Sequence, residues 1–284
     1  MPELPEVETI RRGLVPHVVG KTIARVDALH PRVARMSPEG LDSLAGMTIS
    51  GVVRRGKFMW FLTGERALVA HLGMSGQMRI NSDSVHVRAR FHFTDGTSLD
   101  FVDQRTFGYL HPDQLLPTPD SGPGGYGSQA AMIPASVAHI GRDLLDPLLD
   151  LRDVARAVKH RRTEIKRAIL NQNIASGIGN IYADEALWEA CVHPQKMTTA
   201  MSLAKIADVY EHAREVMERA VEAGGTSFDE LYVNVNGESG YFDRSLHVYG
   251  KTGQPCDRCG KEIQRITFMN RSSHLCPACQ RRSR

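Results

Sequence analysis

The sequence predicts a multidomain α+β protein, in which a short helix and a β-rich half precede a helical half and a cysteine-rich module. Short apolar segments between Gly-containing turns fill the first half of the chain. Apolar residues recur at helical spacing after Asp146-Pro147. Four of the five cysteines lie between Cys256 and Cys279. A chain of 284 residues is long enough for two domains with separate cores.

The first predicted element is a helix near the N-terminus. Pro5 suits a first helical position, and Val7, Ile10 and Leu14 form one apolar stripe. Because proline lacks a backbone donor, we expect Pro16 to kink or end this helix.

A β-hairpin is the clearest element of the first half. Apolar residues occupy alternate positions from Val85 to Phe93 and return at Leu99 and Phe101. The Asp95-Gly96 pair between the two runs is a strong signal for a hairpin turn. Many short strands with tight turns predict a sandwich or a barrel. The other predicted strands cover residues 22–26, 49–53, 57–62, 67–72 and 77–80.

The pattern changes in the middle of the chain. Residues 117–134 are rich in Pro, Gly and Ser, which is typical of an exposed loop at the start of a linker. Beyond it, Leu151, Val154 and Val158 share a helical face, and a longer helix is predicted from Ser202 to Gly224-Gly225. The predicted parts are an N-terminal domain over residues 1–134, a linker over 135–150, a helical domain over 151–240 and a cysteine-rich module over 241–284.

The cysteine-rich module has the spacing of a zinc site. Cys256 and Cys259 form one Cys-x-x-Cys pair, and Cys276 and Cys279 form a second. Four thiolates can complete a tetrahedral zinc shell, which leaves no open position for a substrate. The pattern therefore predicts one structural zinc ion, with two redox-active cysteine pairs as the alternative. The fifth cysteine, Cys191, is predicted to be a small buried residue.

Positive charge is concentrated in two segments. The whole chain carries only +3, but residues 250–284 contain eight Lys or Arg and two Asp or Glu. Residues 152–167 contain seven Lys or Arg and two acidic residues. Arg271 lies at the tip of a predicted hairpin in the first of these segments, where it could contact a phosphate or remain solvated. This distribution indicates that two positively charged segments bind an anionic partner locally.

Membrane and secreted classes are not indicated. The longest apolar stretch is interrupted by Glu65 and Arg66, well short of the roughly 18 residues of a membrane helix. The N-terminus is acidic and lacks a signal-peptide pattern. The default expectation is a soluble cytoplasmic protein.

The first residues of the chain have chemical potential. If Met1 is removed, Pro2 becomes a secondary amine that can attack a sugar aldehyde carbon and form an iminium. Glu3 lies next to it and could move protons, and Glu6 favours the positive end of the helix dipole. Ordinary helix capping explains the same acidic residues equally simply.

The motifs of the chain resemble those of bacterial formamidopyrimidine-DNA glycosylases. The resemblance covers nearly the whole length and includes five motifs in order. These are residues 1–9 (MPELPEVET), 55–57 with 71–76 (RGK and HLGMSG), 177–185 (GIGNIYADE), 240–242 with 248–250 (GYF and VYG), and the cysteines ending in CPACQ at 276–280. It implies a β-sandwich after an N-terminal helix, then a helix–two-turn–helix domain with a zinc finger.

The resemblance implies a function in repair of oxidised DNA. Members remove oxidised purines such as 8-oxoguanine and formamidopyrimidines, then cut the strand by β- and δ-elimination. By this resemblance Pro2 is the nucleophile at C1′, Glu3 is the proton shuttle, Glu6 supports the site and Lys57 contacts the lesion's phosphate. No catalytic metal or organic cofactor is implied.

The resemblance also implies how DNA is held. Met74, Arg105 and Phe107 would enter the space left by the everted base. Thr226 would contact that base from a loop after the long helix. The remaining implied DNA contacts are Lys166, Asn180, Arg271, His71, Tyr241 and His86. The expected partner is double-stranded DNA with an oxidised purine opposite cytosine, bound by a monomer in the bacterial cytoplasm at the nucleoid.

Two alternatives compete with this interpretation. Endonuclease VIII relatives, which prefer oxidised pyrimidines, usually begin Pro-Glu-Gly-Pro-Glu, whereas this chain has Leu4. A non-catalytic zinc-finger DNA-binding protein need not keep Pro2, Glu3 and Lys57, all of which are present. One departure from the family pattern is Thr106, where many relatives have a second arginine before the phenylalanine.

Overall fold

The computed structural model describes residues 2–225 and 245–282, which form two compact units. One unit contains the chain up to His139 together with residues 223–225. The other contains Ile140–Glu222 and residues 245–282. Within these ranges, no helix combines the length and apolar character needed to cross a membrane.

The first unit begins with helix α1, Leu4–Val18. Glu3 is its N-cap, and Val7, Ile10 and Leu14 are buried in the core as the apolar stripe predicted. The expectation that Pro16 kinks or ends this helix agrees with the helix end at Val18, two residues later. Pro16 lies in the last turn, and Val18 continues the buried face to the end of the helix.

The rest of the first unit is a sandwich of two sheets, as the resemblance implied. Its strands are β1 Ile23–Ala28, β2 Gly51–Arg55, β3 Phe58–Thr63, β4 Arg66–His71, β5 Gly76–Ile80, β6 Val87–Phe93, β7 Ser98–Asp103, β8 Tyr109–Pro117 and β9 Met132–Pro134. One sheet has the order β1-β6-β7-β5 and the other β2-β3-β4-β8-β9, with antiparallel pairing throughout. Residues of α1 and both sheets form one buried apolar cluster.

The predicted hairpin is confirmed as β6 and β7. Alternate residues of β6 are buried, from Val87 to Phe93, so the period of two indicated both the strand and its inward face. Val85 does not belong to it, because this residue lies before the strand and is exposed.

The Gly-rich segment at 117–134 is irregular and partly exposed over residues 118–131, as expected for a loop, but it packs against the sandwich and does not begin a linker. Strands β8 and β9 pair at its two ends. Between them, the backbone of Tyr126 exchanges two hydrogen bonds with that of Arg54 in β2, at 2.9 and 2.8 Å. Gly124 and Gly125 are buried here, and each approaches another backbone too closely for a Cβ. Glycine therefore serves close packing in this segment.

We expect Gly124→Ala to lower the free energy of unfolding by about 2 kcal/mol or more, because its Cβ would overlap the carbonyl oxygen of Met132. The matched control is Gly51→Ala, whose Cβ would meet only the flexible side chain of Leu62 at 3.4 Å. Urea unfolding followed by circular dichroism measures both. Equal stability of the two variants would show that Gly124 is not packed against the backbone of Met132.

The second unit is helical, with a small hairpin at its end. Its helices are α2 Leu151–His160, α3 Ile165–Ile169, α4 Asn180–Glu189 and α5 Leu203–Glu222, and its hairpin strands are β10 Gln264–Phe268 and β11 Arg271–Leu275. Helix α5 packs against α2 and α4. The prediction for Cys191 is wrong: it follows the end of α4 with a φ of 54° and is exposed.

Candidate active site and nucleic-acid interface

The start of α1 fixes two carboxylates beside Pro2. The backbone N–H of Glu3 donates to Oε2 of Glu6 at 2.9 Å, and the Glu3 side chain accepts from the backbone of Glu6 in return. Glu3 is 2% exposed and Glu6 4% exposed. Pro2, which directly precedes the N-cap residue Glu3, is also buried. The capping arrangement and the candidate chemical site therefore use the same side chains.

A small cleft lies at this end of the helix. It is lined by Pro2, Lys57, His71, Leu72 and Gly73. Lys57 stands in the turn between β2 and β3, where Gly56 has a φ of 58°, and His71 is the last residue of β4. The fold thus brings an N-terminal residue, a lysine and a histidine from distant positions of the sequence to one opening.

A buried ionic network joins α1 to β2. Glu8 accepts from Nε of Arg54 at 2.9 Å and from Nε and Nη2 of Arg11, both at 2.9 Å. Burial raises the pKa of the Glu8 carboxyl, but Arg11 and Arg54 outweigh burial and hold that pKa below its usual value. Nη1 of Arg54 also donates to the carbonyl oxygen of Gly56 at 3.3 Å, so the network contacts the turn that carries Lys57. No sequence pattern indicated it, because Arg54 is 46 residues from Glu8 in the chain.

His71 is neutral at physiological pH. Burial, with the positive charges of Arg35 and Lys57, lowers the pKa of His71 to about 4. Its ring stacks on Tyr109, and its Nδ1 accepts from the backbone N–H of Gly73 at 3.2 Å. The remaining ring nitrogen, Nε2, therefore carries the proton and acts as a donor.

The neutral state of His71 has a consequence for stability. Between pH 7 and pH 5, the free energy of unfolding should fall by about 2 kcal/mol more in the native protein than in His71→Phe. The sign follows from proton uptake: the unfolded histidine, with a pKa near 6.5, binds a proton that the folded one binds only near pH 4. Urea titrations at both pH values measure the difference. An identical fall in the two proteins would show that His71 is not held neutral.

The three side chains expected to enter DNA are displayed on the surface. Met74 is 40% exposed in the turn after β4, and Phe107 is 51% exposed in the turn after β7. Arg105 is exposed in the same turn as Phe107. Exposed large apolar side chains on neighbouring turns suit insertion into a base stack. His86 is half-buried, with its Nδ1 3.3 Å from Nη2 of Arg88.

In the second unit, Asn180 and Arg271 come from elements that contact each other. Asn180 opens α4 and donates from Nδ2 to the carbonyl oxygen of Ser272 at 2.9 Å. Arg271, the first residue of β11, is exposed beside Ser272. A helix start and an arginine on an adjoining strand are suited to anion binding.

Lys166 departs from the expected direct contact with DNA. Its side chain is 0% exposed, and its Nζ pairs with Oδ1 of Asp184 at 2.6 Å. The same Nζ lies 3.4 Å from the carbonyl oxygen of Ser272. Lys166 therefore cannot reach a base or a phosphate without leaving a buried ion pair. In this structure it supports the hairpin that carries Arg271.

Two acidic residues of α4, Asp184 and Glu185, hold the C-terminal module, although their residue types alone predicted no role for them. Asp184 accepts from Ser273 Oγ at 2.7 Å and from the backbone N–H of His274 at 2.8 Å. Glu185 accepts from three consecutive backbone N–H groups at residues 247–249, at 2.8 to 2.9 Å. Burial raises the pKa of Glu185, although these donors oppose the shift. Both residues belong to the 177–185 motif, so the motif was their only sequence signal.

The four predicted zinc ligands converge. The sulfur atoms of Cys256, Cys259, Cys276 and Cys279 all lie within 4.8 Å of one another. Trp188 of α4 donates from Nε1 to Sγ of Cys256 at 3.4 Å, a contact that favours the thiolate form. A compact set of four thiols fits a tetrahedral structural zinc ion. Two separate redox pairs would not require all four sulfurs at one point.

Two expected site residues, Thr226 and Tyr241, lie outside the described residues. The last residue before that stretch is Gly225, which has a φ of 85°. A Cβ on Gly225 would lie 3.3 Å from Cγ of Glu6. Gly225 therefore lies directly against Glu6, a candidate site residue.

Comparison with known proteins agrees with this arrangement. Residues 1–110 match the formamidopyrimidine-DNA glycosylase N-terminal domain, residues 140–230 the H2TH domain of the same enzymes, and residues 253–282 the zinc finger found in FPG and IleRS. Formamidopyrimidine-DNA glycosylase of Mycobacteroides abscessus is 52% identical over 99% of this chain and 98% of its own length.

Solved structures extend the comparison to DNA complexes. The crystal structure of MutM (Fpg) from Thermus thermophilus has a TM-score of 0.82, with 34% identity over 98% of both chains. The complex between Lactococcus lactis Fpg and DNA containing an abasic site has a TM-score of 0.83. It is 32% identical over 99% of this chain and 100% of that chain.

The fold and the site define a DNA-binding glycosylase of DNA repair, with a sandwich domain, a helical domain and a zinc finger. The chain belongs to the formamidopyrimidine-DNA glycosylase family. The resemblance stated from its motifs is thereby confirmed, as is the predicted fold class.

Proposed function

We propose that this protein is a bifunctional DNA glycosylase and abasic-site lyase that removes oxidised purines, 8-oxoguanine and formamidopyrimidines among them. The observation that carries the proposal is the cleft lined by Pro2, Lys57 and His71, with the buried carboxylate of Glu3 one residue from Pro2. A secondary amine, a carboxylate and a lysine at one opening are suited to attack on a sugar carbon. Family membership supports the same substrate class.

The proposed first step is displacement of the damaged base. After removal of Met1, the Pro2 nitrogen attacks C1′ of the nucleotide, a C1′–N bond to Pro2 forms, and the bond to the base breaks. Glu3 donates a proton to the ring oxygen as the deoxyribose opens, which yields an iminium between Pro2 and C1′. The departing base takes up the proton that the Pro2 nitrogen loses after it bonds to C1′, and the base leaves neutral.

Strand cleavage follows from the iminium. The positive nitrogen acidifies the hydrogens on C2′, so loss of one of them expels the 3′ phosphate by β-elimination. A second elimination expels the 5′ phosphate, and hydrolysis then releases the sugar remnant from Pro2. The products are a one-nucleotide gap flanked by phosphates. Lys57 contributes a positive charge beside the lesion's phosphate throughout.

The base must leave the helix before Pro2 can reach its sugar. We propose that Met74 and Phe107 occupy the vacated stack and that Arg105 pairs with the orphaned cytosine. Their exposure on adjacent turns supports this role. Asn180 and Arg271 would hold phosphates, while Lys166 orders the strand that carries Arg271. Zinc, when bound by the four cysteines, supplies a rigid closure of that module. The protein would act as a monomer on duplex DNA.

The substrate class is tested by a lesion panel under single-turnover conditions. Duplexes containing 8-oxoguanine, formamidopyrimidine, thymine glycol or an abasic site are each incubated with native protein. We expect faster excision of both purine lesions than of thymine glycol, and cleavage of the abasic strand. Preferred excision of thymine glycol would indicate the endonuclease VIII activity instead.

A further inference from the structure

A buried aspartate joins the two turns that carry the exposed side chains. Asp103 is the last residue of β7 and is fully buried. Its Oδ1 accepts from Oγ of Ser75 at 2.5 Å and from the backbone N–H of Arg105 at 3.1 Å. Its Oδ2 accepts from the backbone N–H of Gly108 at 2.7 Å. One carboxylate thus binds the residue after Met74 and both ends of the turn that presents Phe107.

The same two turns are packed backbone to backbone. A Cβ on Gly73 would lie 2.6 Å from both the carbonyl carbon of Phe107 and the nitrogen of Gly108. The Oγ of Ser75 also accepts from the N–H of Arg105, at 3.2 Å. Neither turn can shift without the other, since hydrogen bonds and direct contact both connect them.

Arg35 contacts the end of the turn after β7. Its guanidinium donates to the carbonyl oxygens of Phe107 and Gly108, each at 2.7 Å, and lies over the ring of Tyr109. On the other side, Nε of Arg88 donates to the carbonyl oxygen of Asp103 at 2.8 Å. The turn after β7 is therefore held on both flanks.

The turn after β7 contains a backbone conformation that its residue type does not favour. Thr106, between Arg105 and Phe107, has a φ of 54°, which is unusual for a β-branched residue. Such a residue keeps this conformation only where its surroundings enforce it. The bonds from Asp103 and Arg35 supply that enforcement.

We propose that Asp103, acting through Ser75, is the positioning residue that presets Met74, Arg105 and Phe107 as one rigid wedge before DNA is bound. This inference rests on the proposed function, because it assigns the wedge its task of replacing the everted base. Preorganisation removes an ordering cost at the moment of insertion. Loss of the hydrogen bonds made by Asp103 and Ser75 should therefore slow eversion of a stacked, paired lesion and leave the chemistry at Pro2 intact.

Asp103→Asn and Ser75→Ala test the proposal, with the exposed Asp83→Asn as the matched control. Asp103→Asn leaves one accepting oxygen in place of two, so it cannot keep the bonds from Ser75 and Arg105 together with the bond from Gly108. Ser75→Ala deletes the bonds of Ser75 Oγ to Asp103 and Arg105 with little change in volume. Single-turnover excision is measured on 8-oxoguanine paired with cytosine and on 8-oxoguanine in an unpaired bubble. Cleavage of an abasic site in single-stranded DNA reports the chemistry alone.

We expect excision of the paired lesion to slow about tenfold or more in both variants, with the bubble and abasic substrates changed less than twofold. A 2-aminopurine next to the lesion should report slower eversion in the same variants. An equal loss on all three substrates, or no loss on the paired lesion, would overturn the proposal. If Asp103→Asn fails to fold, Ser75→Ala gives the same comparison. Failure of the proposed function is distinguishable, because the native protein would then excise the lesion from no substrate.

Discussion

Glu3→Gln is expected to lower the single-turnover rate of base removal by about 10³-fold, while affinity for lesion DNA changes little. The substitution keeps the size of the side chain and an oxygen that can accept the capping bond from Glu6. What it removes is the ability to donate and accept a proton beside Pro2. Rapid-quench excision assays and equilibrium binding to an uncleavable abasic analogue separate these two effects.

Glu6→Gln is the informative partner of that variant. Glu6 accepts from the backbone of Glu3 and packs beneath Gly225, which gives it a supporting position. We expect its loss of rate to be at least tenfold smaller than that of Glu3→Gln. Equal losses would mean that the capping arrangement, and not the proton of Glu3, is what the reaction needs.

The second large effect is expected from the cysteine cluster. Replacing Cys256 and Cys259 together by Ser should weaken DNA binding by about 100-fold, because the hairpin that carries Arg271 loses its closure. Thermal unfolding of the sandwich domain should be unchanged, since its core contains no residue of the cluster. Filter binding at fixed salt and differential scanning calorimetry measure the two outcomes, with metal content determined in parallel.

Cys191→Ser is the control for this experiment. Cys191 is exposed and is not among the clustered thiols, so its substitution should leave zinc content and binding unchanged. Intact DNA binding in the double Cys256 and Cys259 variant would contradict the role given to the zinc module. Loss of binding in Cys191→Ser would point to general damage by cysteine replacement.

The elements that could be predicted are those specified by residues close together in the sequence. The β6–β7 hairpin followed from alternation around Asp95-Gly96, and the cysteine site followed from two short spacings. The loop between β8 and β9 was predicted, but the close packing of Gly124 and Gly125 within it was missed, because packed and exposed glycines look alike in sequence. What distinguishes them is the proximity of β2 and β9, which no neighbouring residue encodes.

The candidate site likewise combines residues that motifs could identify with contacts between distant residues that motifs could not. Pro2, Glu3 and Lys57 could be named from motifs, but their convergence at one cleft depends on the sandwich. Lys166 could not be recognised as buried, because its partner Asp184 is on another helix. Asp103 carried no signal at all, since its role depends on hydrogen bonds to residues of separate turns.

The most direct test of the account is covalent trapping with sodium borohydride on an 8-oxoguanine:cytosine duplex. Reduction of the iminium would leave a stable protein–DNA adduct, which digestion and mass spectrometry locate on the chain. The account predicts one adduct per active molecule, at the nitrogen of Pro2 in protein that lacks Met1, and a strongly reduced yield in Pro2→Gly. No adduct from correctly processed protein, or an adduct on Lys57 at full yield in Pro2→Gly, would contradict it.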